Sequence, residues 1–596
     1  MNYLPELRRI STPAPAFAPV LGVIFALFTF ASAQGSSWLS NAGSSDWNQK
    51  NNWNPNTAAP NGPSATAVFA TSSRTAITVQ DITEVSSITF NSGASAFTTT
   101  IKENFLLKLS GTGITNSSGT IQNFINSTNN TTRGEIQFLN SATAGALTQF
   151  TNEGRNPAAA VSGGRCNFLG SSSAGSGVFI QNGAGGTGGD GGRCLFGANS
   201  NAGSATFTNN PTTANNAGTG GGVSFEGSSS AANAIFVNSG SNGSTRPSGF
   251  TQFTDSLGAT PSAGNATLTA NGGTASGAPG GEITFFEKST AAAATLIANP
   301  GSNGGVGGSI TFVDDATGGT SQVKIFGLGF LDISNCTAGV TIGSLEGDGE
   351  VFPGSKTLTV GSNNLSTTYS GVMHSTGALT KIGTGTLTLA GFNTYTGMTT
   401  VNAGSLIVSS VISGPAAVNS GGSLIDNGFV DGNVHILSGG LLSGTGEING
   451  ALLVDSGGVA NFVNTIFTIN GPVTNNGLII LSDGSSLDGV TSFTNNGTLD
   501  IITAGTFTPP PNFVNNGVIL DSSAVKTKAI TRSGSNILIT INSNTGHTYH
   551  LQKSDTPEAA DFEEVGSPQT GNTGQVLTFT DPISIVPAFY RFVVDP

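Results

Sequence analysis

Residues 164–181, GRCNFLGSSSAGSGVFIQ, return at 192–209 as GRCLFGANSNAGSATFTN. Each copy contains an apolar-x-Phe segment, a turn of Ser, Ala, Asn and Gly, and a second short apolar segment. Alternate residues of a strand lie on one face, so Cys166 and Phe168 are expected to point the same way. A unit this short cannot bury its apolar face alone, whereas stacked copies bury a continuous core. The repeat therefore predicts a solenoid of short strands.

The same pattern extends in both directions, from Gly134 to Gly319. The Phe of the first segment recurs at steps of 27 to 32 residues, and a second apolar residue follows it, while the Gly-rich loops vary in length. We predict that these aromatic residues form a ladder along the stack. They are Phe138, Phe168, Phe196, Phe225, Phe253, Phe285 and Phe312.

A tighter period of 20 residues follows in VTNNGLII (473–480), FTNNGTLD (493–500) and FVNNGVIL (513–520). It places Asn476, Asn496 and Asn516 in register. Asn tolerates left-handed turns, and stacked amides hydrogen-bond along a ladder, so we predict a structural ladder. The alternative is that these side chains are surface ligands for sugars.

Composition narrows the class of protein. Only 9% of the residues are charged and 86 are Gly, which argues against solvated helices, while 36% hydrophobic residues argue against disorder. The net charge of −13 lacks the basic footprint that nucleic-acid binding needs. We expect an all-β protein: a right-handed parallel β-helix with a small C-terminal β-sandwich module.

The N-terminus has the pattern of a secretory signal. Arg8 and Arg9 precede the apolar run VLGVIFALFTF (20–30), which is short for a membrane span, and Ala31-Ser32-Ala33 is a cleavage site. Cleavage between Ala33 and Gln34 is expected, with no transmembrane segment in the mature chain. The protein is therefore predicted to be exported.

Residues 381–406, KIGTGTLTLAGFNTYTGMTTVNAGSL, closely resemble the autotransporter-associated β-strand repeat. The matching positions are Lys381, Gly383, Gly385, Leu387, Leu389, Gly391, Asn393, Tyr395, Gly397, Thr399, Val401, Gly404 and Leu406. The resemblance implies a passenger-type β-helix at a bacterial surface. The chain ends in Val594-Asp595-Pro596 rather than in an aromatic-terminated membrane barrel. We therefore expect a passenger type without that barrel, whose export beyond the periplasm needs another system.

These patterns suggest five segments. They are a signal peptide (1–33), an N-terminal cap with the first coils (34–130), a β-helix of ~28-residue repeats (131–330), a β-helix with the family repeat and the NNG repeats (331–525), and a C-terminal β-sandwich that caps or anchors the rod (526–596). The three Trp of the chain, Trp38, Trp47 and Trp53, lie in the cap. They are expected to plug the first coil, with a sugar-stacking platform as the alternative.

Cys166 and Cys194 occupy equivalent inward positions in neighbouring copies, which leaves a disulfide or two buried thiols open. Acidic candidates for polysaccharide chemistry are Asp314–Asp315 and the pair Glu282 and Glu287. Arg165 and Arg193 repeat at one register, and His547 lies close to His550. Because none of these forms a convincing catalytic or metal-binding pattern, we predict no catalytic, cofactor-binding or metal-binding residues.

The sequence thus favours an exported structural or adhesin-like surface protein that uses a β-helix as a display scaffold. The alternatives are a polysaccharide-active lyase or glycosidase and a purely architectural envelope component. Expected partners are surface glycans, extracellular matrix or other cells, and the protein is expected to be a monomer. Its expected location is the cell surface or the medium, with the periplasm as the alternative.

Overall fold

A computed structural model folds the chain from Gly35 onward as one compact unit. The described residues are 35–595 except 130, 156–162, 216–217, 255–257, 505–506, 545–546, 559–560, 573 and 585–587. The predicted signal peptide and its cleavage site at Ala33 and Gln34 lie outside the described residues. The described residues contain no helix with the length and hydrophobicity of a membrane span.

Strands make up 47% of the structure, and no α-helix occurs among the described residues, so the chain is all-β as predicted. Only two short 3₁₀ turns, Lys50–Asn52 and Ser522–Ala524, interrupt the described strands and loops. Nearly every strand from Thr66 to Leu520 pairs in parallel with the equivalent strand of the coil before and after it. The predicted parallel β-helix is therefore confirmed.

Two long sheets carry the early coils, because each ~28-residue repeat supplies one strand to each sheet. The first sheet has fifteen strands. Its strands are Ser36–Trp38, Trp53–Asn54, Thr66–Phe69, Thr83–Phe90, Leu106–Asn116, Glu135–Phe138, Arg165–Phe168, Arg193–Phe196, Gly222–Phe225, Phe250–Phe253, Glu282–Phe285, Ser309–Asp314, Phe330–Cys336, Glu350–Phe352 and Val372–Met373.

The second sheet continues to the end of the stack. Its strands are Ala76–Val79, Thr98–Ile101, Gln122–Asn126, Thr148–Asn152, Val178–Gln181, Thr206–Asn209, Ile235–Asn238, Thr267–Ala270, Thr295–Ala298, Gln322–Ile325, Ser344–Gly347, Thr367–Tyr369, Thr386–Leu389, Gly404–Val408, Gly422–Asp426, Leu441–Gly444, Val459–Val463, Leu478–Ser482, Thr498–Asp500 and Val518–Leu520.

Later coils are shorter and add a third and a fourth sheet. The third sheet consists of Gly339–Ile342, Thr357–Val360, Ala378–Lys381, Thr399–Val401, Ala416–Val418, Val434–Ile436, Leu452–Val454, Pro472–Asn475, Ser492–Asn495 and Phe513–Asn515. The fourth consists of Phe392–Asn393, Val411–Ile412, Phe429–Val430, Glu447–Ile448, Ile466–Ile469 and Ser486–Asp488.

Inside the coils, the Phe side chains stack in register along the axis. Phe168 pairs with Phe196 across the first sheet, and their ring centroids lie 4.6 Å apart with nearly parallel planes. The Phe rings of the second sheet form another column parallel to the first. The two columns contact each other edge-on, as where Phe179 of the second sheet lies 5.7 Å from Phe168 of the first. Burial of these large rings contributes apolar free energy beside the many buried Val, Ile, Leu and Ala side chains of the same core.

The C-terminal residues fold as two small antiparallel sheets with their own apolar core around Tyr549 and Phe579. One sheet contains Thr527–Ser533, Asn536–Asn542 and Val576–Pro582. The other contains Thr548–Ser554, Glu563–Glu564, Gln569–Thr570 and Phe589–Asp595.

Candidate functional site

Both cysteines of the repeat are free thiols and fully buried. Cys166 and Cys194 pair in register on adjacent strands of the first sheet, and burial raises the pKa of Cys194 well above its usual range. The disulfide alternative is therefore not what the structure shows. Directly paired positions of a parallel sheet hold the two side chains side by side, an arrangement that fits packed thiols better than a bridge.

A buried ladder of amides, which the sequence patterns above did not predict, runs beside the Phe column. Asn126 Nδ2 donates to Asn152 Oδ1 at 2.6 Å, and Asn209 Nδ2 donates to Asn238 Oδ1 at 2.7 Å. Asn209 Nδ2 also donates to the backbone oxygen of Phe250 at 2.8 Å. The available signal was the amide residue that ends the second strand in several successive repeats. These bonds tie the end of one coil to the start of a later one.

The NNG repeats carry two such ladders side by side. The predicted ladder of Asn476, Asn496 and Asn516 is exposed. In it, Asn496 Nδ2 donates to Asn476 Oδ1 at 3.0 Å, and Asn516 Nδ2 donates to Asn496 Oδ1 at the same distance. One residue earlier, the buried Asn475 donates to Asn495 at 2.8 Å. The interior ladder is the one that stabilises the core, because its amides have no access to water.

Among the matching positions of the family repeat, every residue that is not glycine is buried. The Lys381 ammonium donates to the backbone oxygens of Ile382, Gly383 and Ala403 at 2.7, 3.0 and 3.2 Å, and burial lowers its pKa. Tyr395 shares a 2.6 Å hydrogen bond with Thr399. The polar members of the motif therefore satisfy the interior of one coil, and their positions indicate a structural role.

The acidic candidates lie apart from one another. Asp314 and Asp315 are exposed where a strand of the first sheet ends. Glu282 begins its strand, whereas Glu287 lies in the turn that follows it. Glu282 lines a groove of the first sheet that Glu287 does not line, so this pair does not present two carboxylates to that groove, as a glycosidase requires.

Each of the four histidines lies within ion-pair distance of a carboxylate: His374 of Glu350, His435 of Asp455, His547 of Asp500, and His550 of Glu564 and Asp595. His547 Nε2 is 2.7 Å from Asp500 Oδ2, and both side chains are buried. Burial lowers the pKa of His547, but the hydrogen bond and charge of Asp500 outweigh it, so the net pKa is raised. This contact joins the C-terminal sheets to the last coils. Among the described residues, no group of three His, Cys, Asp or Glu could hold a metal ion.

The Trp residues form a plug at the first coil. Trp47 and Trp53 are completely buried, 4.9 Å apart edge-to-face, and Trp53 packs on Phe69 at 5.5 Å. Their indole N–H groups donate to backbone oxygens, Trp47 to that of Pro60 and Trp53 to that of Trp47. Buried faces cannot stack on a sugar, which contradicts the platform alternative.

The most site-like feature is a groove of about 280 Å³ on the outer face of the first sheet, here named the first-sheet groove. Gly222 lies between Arg193 and Phe250 in one outward column. A Cβ on Gly222 would lie 2.1 Å from the Phe250 ring, so glycine is what allows that ring to lie across the sheet. The Arg193 guanidinium then stacks over the same ring at 4.7 Å. The groove is lined by this pair.

Polar groups complete the groove. Arg193 donates to Thr219 Oγ1 at 3.3 Å, and desolvation lowers its pKa. Glu282 is exposed as a whole residue, but the groove walls desolvate its carboxyl group and raise its pKa. Ser248 is only 4% exposed, and its hydroxyl faces the Glu282 carboxyl, where hydrogen bonding opposes part of the rise in pKa that desolvation causes. Sequence reasoning identified Arg193 and Glu282 separately but could not bring them to one groove.

Taken with the buried motif, the coil geometry defines a class: a repeat protein built as a parallel β-helix. Residues 379–408 match the family model described as passenger-associated-transport-repeat, which confirms the predicted resemblance. The match covers the coil that contains Lys381 and Tyr395. A repeat of this kind implies an exported protein of the cell surface or the extracellular space. No curated protein matches the chain.

Proposed function

We propose that the protein is an adhesin-like scaffold, in which a long β-helix displays a flat face to surface glycans, matrix or other cells. The observation that carries the proposal is the outer surface of the second sheet over seven consecutive strands. All of its outward side chains are uncharged and at least partly exposed. They are Asn123, Ile125, Gln149, Thr151, Val178, Ile180, Thr206, Thr208, Ile235, Val237, Thr267, Thr269, Thr295 and Ile297.

The uncharged face is long and partly apolar. Seven strands at ~4.8 Å spacing make it about 29 Å long. Val178 and Ile235 are 37% and 47% exposed, and a contiguous surface of this kind is typical of an interaction site. Its charge-free run ends where Lys324 pairs with Glu346 at 2.8 Å in the next coils. A partner that binds here must offer an uncharged, extended surface.

Charge insertion tests the proposal. Thr208 and Thr269 lie in one outward column with Val237 between them, so Thr208→Lys with Thr269→Lys places two charges on the face without making them neighbours. The matched control is Thr388→Lys with Ile425→Lys, which has the same spacing in later coils of the same sheet.

Purified wild-type protein is expected to bind cells, glycan-coated surfaces or matrix more strongly than an unrelated β-helix does. The double variant on the uncharged face should lose most of that binding, and the control variant should keep it. Equal binding by both double variants, or by the unrelated β-helix, would contradict the proposal. The architectural alternative predicts detergent-resistant association with the envelope instead, which cell fractionation measures.

A polysaccharide-active enzyme stays a second prediction. Among the described residues that line the first-sheet groove, Glu282 is the one carboxylate, whereas hydrolysis by the usual mechanism needs two. Release of reducing ends from pectin-like, alginate-like or xylan-like polymers would establish such an activity.

A further inference from the structure

We propose that the first-sheet groove is a subsite for one sugar unit of a neutral oligosaccharide. This site lies on a different sheet from the uncharged face. The inference of a sugar subsite rests on the proposed function in one respect, because an exported scaffold is exposed to extracellular glycans. Four features of the groove carry the proposal: its aromatic walls, its unsatisfied polar groups, its charge and its size.

Two aromatic rings, Phe250 and Phe286, contribute to the wall of the groove. Phe250 is held in place, because the Arg193 guanidinium stacks on it and the Gly222 backbone lies beneath it. A ring fixed in this way offers a flat apolar surface at little cost in conformational entropy. Pyranose rings have C–H faces of matching size, and aromatic rings pack on such faces through dispersion and their negative π surface.

Polar groups surround these rings with unused hydrogen-bonding capacity. The buried Ser248 hydroxyl faces the Glu282 carboxyl and has no other partner among the described residues. Within the same part of the chain, the side chains of Gln252 and Thr284, which also line the groove, form no hydrogen bonds with protein groups. A ligand hydroxyl that reaches these side chains gains hydrogen bonds that the protein itself leaves unmade. The set contains both donors and acceptors, as recognition of a polyol requires.

The charge and size of the groove favour a neutral sugar. Its one cation, Arg193, is already engaged by Phe250 and by Thr219. Its acid, Glu282, would repel a uronate. A volume of about 280 Å³ is at the small end for ligand sites, which suits a single ring of a longer chain. The open outer face of the sheet lets the rest of the oligosaccharide extend along neighbouring coils.

Calorimetric titration of the purified protein tests this inference. The probes are tetrasaccharides of glucose, galactose, xylose and N-acetylglucosamine, with tetragalacturonate as the acidic comparison. Phe250→Ala removes the aromatic wall. The matched control is Phe330→Ala, which removes a half-buried Phe from the same outward column of the first sheet, outside the groove. Thermal unfolding of each variant checks that the fold is kept.

At least one neutral probe is expected to bind, and more tightly than tetragalacturonate. Phe250→Ala should weaken that binding about tenfold, and Ser248→Ala by a smaller factor, while Phe330→Ala leaves it unchanged. The inference is overturned if no neutral probe binds, if the acidic probe binds best, or if Phe250→Ala and Phe330→Ala behave alike.

The same variants separate this inference from the adhesin proposal. Wild-type protein that binds cells but no tetrasaccharide leaves the adhesin proposal standing and removes the sugar subsite. The opposite result is a wild-type protein that binds a tetrasaccharide in a Phe250-dependent way but binds no cell or matrix surface. This result would support the sugar subsite and contradict the adhesin proposal.

Discussion

Phe196→Ala should lower the free energy of local unfolding in the coil that contains it and in the adjacent coils. The ring is completely buried and stacks on Phe168 at 4.6 Å and on Phe225 at 4.8 Å, with Phe207 edge-on at 5.8 Å. A buried Phe removes about 150–250 Å² from water, which at ~25 cal/mol per Å² amounts to about 4–6 kcal/mol as an upper estimate. Measured Phe→Ala losses of about 3–5 kcal/mol fall in the same range. We expect a loss of about 3–5 kcal/mol.

Hydrogen exchange is the appropriate assay, because coils of a solenoid unfold locally rather than all at once. A loss of about 3 kcal/mol corresponds to exchange about 10²-fold faster at the amides of Arg193–Phe196 and of the strands paired with it. Leu195→Ala is the control, since this half-exposed side chain lies on the opposite face of the same strand. Exchange in Phe196→Ala within about tenfold of the control would refute the reasoning that the Phe column carries the core.

Three further predictions concern buried contacts. Because the pKa of His547 is raised in the folded state, its pairing with Asp500 stabilises the fold below the ordinary histidine pKa, and this stabilisation is lost as pH rises through the folded-state pKa. The wild-type protein should therefore have a lower melting temperature at pH 8.5 than at pH 5.5. His547→Asn should reduce this difference in melting temperature, and an unchanged difference would contradict the assignment. Burial raises the pKa of Asp426 to about 7, so Asp426→Asn should raise the melting temperature more at pH 8 than at pH 5, and an equal gain at both values would argue against a buried charge. Gly192→Ala would place a Cβ 2.1 Å from the backbone oxygen of Asn152, so it should destabilise the coil by more than about 1 kcal/mol, measured by urea unfolding. Gly43→Ala is the control, because its Cβ would meet only Asn52 Oδ1 at 3.9 Å and Gly43 does not have a left-handed φ.

Periodicity was enough to predict the fold, because a stacked coil repeats its apolar positions at nearly constant spacing in the chain. The apolar-x-Phe segments and their 27-to-32-residue steps predicted the parallel stack, and the Lys381–Leu406 segment predicted the passenger-type repeat. The sequence also placed the candidate Cys pair in register. It could not decide whether those thiols join, since bond formation depends on side-chain geometry.

Other features depend on contacts that no linear pattern contains. The first-sheet groove exists because Gly222, Phe250 and Glu282 come from three successive coils and because one ring bends across the glycine. The His547–Asp500 contact joins residues 47 positions apart. A one-dimensional period specifies which residues stack, since stacking repeats with the chain. Only the tertiary structure decides which outward side chains meet and which stay exposed, because that depends on rotamers, on loop paths and on how the C-terminal sheets pack against the last coils.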